Sequence, residues 1–149
     1  MSMKERLRTD LTAAMKAREV TRVSTLRMVL AAVMNAEVAG DQAVTLTDEQ
    51  VVAVLRSEAK KRVEASEIFA KAGRAESAAT ESAELEIIET YLPAALDDSD
   101  LASVISEEIV ALGATSMKDM GAVVKAVRTR VGAQADGAKI AAMVKAALA

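Results

Sequence analysis

Alanine constrains this chain more than any other residue. It fills 32 of 149 positions, against one Phe, one Tyr and no Trp. Ala is the strongest helix former, whereas strands favour aromatic and β-branched residues. The expected fold is therefore all-α, built from thin helices that pack closely. The length suits one domain or two small ones, enough to bury roughly 68–70% of the unfolded surface.

The residues that are missing exclude whole classes of chemistry. With no His and no Cys, the chain has no disulfide framework, thiol nucleophile, zinc-finger site, haem histidine or Ser-His-Asp triad. Stacking single-stranded bases takes several exposed rings, and only Phe69 and Tyr91 exist. A net charge of −3 argues against a generally basic coat but allows a local patch. No apolar run reaches 18 residues, and the opening Met1-Ser2-Met3-Lys4-Glu5-Arg6 has no apolar signal core. A cytoplasmic protein with no membrane partner, metal or cofactor is expected.

Periodicity and punctuation place seven helices. Leu7, Leu11 and Met15 recur every four residues, and after a polar break at Arg18-Glu19 a stripe runs Val23, Leu26, Leu30, Val33. Gly40 is expected to end that second helix in the left-handed conformation. Thr47-Asp48-Glu49-Gln50 reads as a capping box, opening a rod of about 25 residues and roughly 37 Å that lasts to Gly73. A helix from Arg74 to about Leu92 follows, stopped by Pro93, the only proline. With Gly73 as the turn of an antiparallel hairpin, Arg62 should face Glu84 and Lys60 should face Glu86. The stretch Glu76–Ala83, whose only apolar residue is Ala, is the expected weak point of that hairpin.

Residues 93–98 read as a linker between a helical unit over 1–92 and a three-helix unit over 99–149. In the second unit, Ser99 or Asp98 caps a helix carrying Leu101, Val104, Ile105 and Ile109 up to Gly113. Ser116-Met117-Lys118-Asp119 caps the next, and Asp136-Gly137 starts the last. Gly121, inside a helix, asks for a close helix–helix approach, because Gly there costs about 1 kcal/mol against Ala. The methionines, among them Met28, Met34, Met120 and Met143, lie on apolar stripes and read as core filler.

Candidate chemistry is sparse. The carboxylates at Asp97-Asp98-Asp100, Glu107-Glu108 and Glu81 to Glu89 read as helix-dipole partners and solvated faces, since no calcium-type loop spacing is present. Ser57 and Lys61 are i,i+4, but nothing in the polar stretch desolvates the lysine enough to make it a base. No glycine-rich phosphate loop exists. The second unit carries an asymmetry of charge: residues 97–108 hold five acids and no base, and residues 117–149 hold six bases and two acids. Lys118, Lys125 and Arg128 fall on one side of a helix. Two readings stand open: a strip that holds phosphates by charge, or cations placed where helix C-termini favour them.

Several segments together resemble one family. They are Leu26-Arg27-Met28, Gly40 followed by Thr47-Asp48-Glu49, Glu58-Ala59-Lys60-Lys61-Arg62, Lys71-Ala72-Gly73-Arg74 and Tyr91-Leu92-Pro93-Ala94-Ala95-Leu96. Met117-Lys118-Asp119-Met120-Gly121-Ala122-Val123-Val124 and Ala135-Asp136-Gly137 complete the set. In order and over essentially the whole chain, they resemble the YqeY family, whose C-terminal lobe is shared with the tail of GatB, the tRNA-dependent amidotransferase B subunit. The resemblance implies an all-α fold: a four-helix N-terminal lobe with a long hairpin, then a three-helix GatB/YqeY tail. It also implies a link to carbon–nitrogen ligase activity with glutamine as amide donor, although neither catalytic centre of that amidotransferase has a counterpart here.

The tail's part in holding tRNA transfers more directly, to the positions of Lys118, Gly121, Lys125 and the turn at Ala135-Asp136-Gly137. Gln134 departs from the basic residue that often precedes that turn. The reading is a non-catalytic adaptor that binds tRNA or an amidotransferase subunit through Lys118, Lys125, Arg128, Arg130 and Lys139. The alternative is a structural or regulatory module that binds protein, by the Lys60–Arg62 face, with no RNA contact.

Overall fold

A computed structural model describes residues 1–149, apart from the side chain of Ala133. Among the described residues there is no strand, and the fold is all-α. The chain divides into two compact units, Met1–Leu92 and Pro93–Ala149.

The first unit contains α1 (Met3–Ala17), α2 (Val20–Glu37), α3 (Asp48–Lys71) and α4 (Ala75–Glu89). Its core takes Leu7 and Ala14 from α1, Leu26, Val29, Leu30 and Val33 from α2, Val51, Leu55 and Ala59 from α3, then Ile88 and Tyr91. Each fully buried Leu, Ile or Val contributes roughly 1.5–3 kcal/mol. Ser2 and Glu5 form a capping box at the start of α1, and Thr47 and Gln50 form the expected one at α3. Arg18 closes α1 in the left-handed conformation (φ 59°), a place usually given to Gly or Asn.

The helix α2 stops earlier than Gly40 would suggest. Val38 caps it, and Gly40 has no positive φ. The stop is made by Glu37. Its carbonyl accepts from Val44 N (2.9 Å), and its carboxylate accepts from Leu46 N (3.3 Å) and from Lys4 Nζ (2.6 Å), so the returning chain is tied at that point. The Lys4 ammonium holds the Glu37 carboxyl below the usual carboxylate range.

The hairpin turns at Gly73, whose φ of 74° requires glycine's freedom. Arg62 faces Glu84 across it, as the antiparallel count predicts, and Ser66 meets Ser82 at 3.0 Å. Lys60 and Glu86 do not pair; both are exposed. None of residues 63–87 is buried, and Arg74, which precedes α4, gives it no side-chain cap.

The second unit holds α5 (Asp98–Leu112), α6 (Met120–Val131) and α7 (Gly137–Leu148) around Leu101, Ile105, Val123, Val127, Val131, Ile140 and Val144. Asp97, one residue before the expected caps, starts α5 by accepting from Asp100 N at 2.7 Å. Ser116 caps a 3-10 turn, Met117–Asp119, that leads into α6, and Asp136 caps α7.

Two sequence expectations fail on packing. A Cβ at Gly121 would meet open space, so no helix approaches it closely. Met28 and Met34 are 42% and 51% exposed, whereas Met120 and Met143 do pack against the second core. The stripe that runs through Leu26, Leu30 and Val33 points inward, and Met28 and Met34 stand outside it.

Candidate nucleic-acid interface

In α6 the valines at 123, 127 and 131 turn inward at intervals of four, which leaves Lys125, Arg128 and Thr129 outside. Lys118, in the turn before the helix, is exposed too. By helical rise, Lys118 and Arg128 lie about 15 Å apart along the axis. Among the described residues, none of Lys118, Lys125 and Arg128 has an ion-pair partner. The Arg128 guanidinium lies against the first turn of α7, where Gly137 makes room: a Cβ there would sit 3.5 Å from Arg128 Nη2.

The other two candidate cations are held by α5. Arg130 Nη2 lies 2.5 Å from Glu107 Oε2 and its Nη1 lies 3.5 Å from Glu108 Oε1. Hydrogen bonding to Glu107 raises the Arg130 pKa further above its ordinary value. Lys139 pairs with Asp98. The acidic run and the basic run thus partly cancel inside one unit. Spacing along the chain separates faces of one helix but cannot say which neighbouring helix supplies a counter-charge, so these pairs were not legible in the sequence.

Beside Lys125 runs an open groove of about 530 Å³, lined by Glu108, Ala122, Lys125, Ala126, Thr129 and Arg130. Its small side chains let a ligand come close to the helix backbone, with Lys125 on the rim as the cation without an acid partner.

Lys61 and Glu84, two of the groups considered for catalysis, are engaged elsewhere, and so is the one tyrosine. Lys61 is exposed and pairs with Glu58 at 3.3 Å. Glu84 accepts from the buried Arg62. The phenol of Tyr91 donates to Asp10 Oδ2 at 2.5 Å and accepts from Arg22 Nη2 at 3.2 Å, with the Arg6 guanidinium 4.8 Å from its ring centre. Burial, helped by Asp10, pushes Tyr91 up to about 12. Among the described residues, no three acids gather to hold a metal ion. Among them too, no helix is long and apolar enough to cross a membrane.

No curated protein matches the chain. The family model described as Yqey-like protein matches residues 4–148, both units together, and the chain belongs to the YqeY family.

Proposed function

We propose that this YqeY-family chain is a non-catalytic, cytoplasmic helical adaptor whose C-terminal unit holds RNA phosphates. By kinship with the GatB tail, tRNA is the RNA and an amidotransferase the associated machinery. The observation that carries the reading is that Lys118, Lys125 and Arg128 lie exposed on and beside α6 with no acid partner. Charge alone suffices for such binding, and a unit without aromatic residues reads backbone rather than stacked bases.

Binding of tRNA measured against salt tests the proposal. Three phosphate contacts give a log–log slope of about −2.1 to −2.7, and five would give about −3.5 to −4.5. Lys125→Ala together with Arg128→Ala should flatten the slope by about one to two units. Absence of binding at low salt overturns the RNA reading. Consumption of glutamine and ATP by the purified chain overturns the non-catalytic one.

A further inference from the structure

We propose that the exposed face of α2 is a self-association surface on which two copies of this chain pair antiparallel. Among its 18 residues α2 has only three charges, Arg22, Arg27 and Glu37. Glu37 is buried against Lys4, and Arg22 is half-buried beside Asp10 and Tyr91. Arg27 is therefore the single charge on the exposed face.

That face carries a second stripe: Val20, Ser24, Arg27, Ala31, Met34 and Val38, at alternating intervals of four and three. All six are exposed, with Val20 at 80% and Val38 at 63%. The intervals are those of a coiled-coil seam. The opposite side of the same helix, through Leu26, Val29, Leu30 and Val33, is already in the core. A helix apolar on both sides is ordinarily covered on both. The outer side of α3, with Lys60, Lys61, Glu64, Glu67 and Lys71, has the composition of a helix face that stays in water.

The pattern of sizes and charges selects a second copy as the occupant. In an antiparallel pair centred between Arg27 and Ala31, Val20 meets Val38 of the second copy, Ser24 meets Met34, and Arg27 meets Ala31. The inner pairs each set a long side chain against a short one, and the outer pairs set valine on valine. At the two ends the charges are complementary: Arg18 precedes the seam and Asp41 follows it, both exposed and without an ion-pair partner among the described residues, so an antiparallel pair brings each towards the other. A parallel pair would set Arg27 on Arg27 and Arg18 on Arg18. A seam from Val20 to Val38 is about 27 Å long, too short to bury the area of a standard stable interface, so the dimer is weak and reversible.

Sedimentation equilibrium of the full chain up to millimolar concentration reads the proposal directly, and the average mass should rise towards twice 15.6 kDa. Ala31→Glu puts a carboxylate opposite each Arg27 and should tighten association about five-fold, while Ala31→Lys should weaken it by a similar factor. Both residues are good helix formers, and circular dichroism checks that the helices persist. The chain has no cysteine of its own, so Ser24→Cys and Met34→Cys, made separately, mixed and oxidised, should form the mixed disulfide in preference to either symmetric one. A chain that stays monomeric at every concentration overturns the proposal, including the case in which another protein covers α2. So do equal responses to Ala31→Glu and Ala31→Lys, and like-with-like disulfides.

Discussion

Arg62 Nε donates to Glu84 Oε2 at 3.0 Å, joining α3 to α4 across a hairpin whose turn lies at Gly73. The guanidinium side chain is 8% exposed and also reaches the carbonyl and carboxylate of Glu58, at 3.0 and 2.9 Å. Two carboxylates therefore share one buried cation at the place where the core gives way to the sparsely packed end of the hairpin. Removing the cation strands Glu84 and leaves Glu58 only the exposed Lys61. Arg62→Met should cost about 3–5 kcal/mol in denaturant unfolding, and adding Glu84→Gln should recover about 1–2 kcal/mol of it. If the two losses simply add, the carboxylate is not being held by Arg62.

Tyr91 provides a spectroscopic handle, being the only tyrosine in a chain without tryptophan. Its phenol is 3% exposed and raised to about 12, first by burial and then by the bond to Asp10. An unfolded tyrosine ionises near 10, so folding is unaffected by this group below pH 10. Stability falls as pH climbs from about 10 to about 12, because the unfolded chain loses the proton first. The drop attributable to Tyr91 is on the order of 2–3 kcal/mol. Absorbance at 295 nm should show a midpoint near 12, and Asp10→Asn should lower it.

The two residues of α1 and α6 that contradict ordinary helix rules make a paired stability test. Arg18 sits at φ 59° where glycine has no penalty, and Gly121 sits in a helix with open space where a Cβ would be. Arg18→Gly and Gly121→Ala should each raise stability by about 0.5–1 kcal/mol, read from the shift of the urea midpoint. A loss on Gly121→Ala would mean that its backbone is not helical in solution.

These residues also mark how far the sequence could be read. Composition and capping boxes are local, and local rules placed the helices: Thr47 with Gln50, Ser116 with Asp119, Gly73 at the turn. The Arg62–Glu84 pair was legible because a hairpin turns chain numbers into spatial neighbours. Gly121 and the outer methionines were misjudged because a stripe does not declare which of its sides another helix covers. In the interface, position 128 could be seen to face outward with 118 and 125. The capture of Arg130 by Glu107 and Glu108 could not, since it depends on how α5 lies along α6.

That capture leads to the last expected outcome. With Arg130 bound to two carboxylates and Lys139 to Asp98, RNA binding by the second unit should draw on three cations. Glu107→Gln with Glu108→Gln frees Arg130 on the edge of the groove beside Lys125, so the salt slope of tRNA binding should steepen by about 0.7–0.9. Any loss of negative charge raises affinity for a polyanion, so the comparison is Glu64→Gln with Glu67→Gln, an equal charge change on exposed residues of the other unit. Those substitutions should strengthen binding less and leave the slope unchanged. Adding Arg130→Ala to the Glu107 and Glu108 pair should return the slope to its starting value. A slope that stays fixed through all three comparisons would place the phosphates away from the α5–α6 groove.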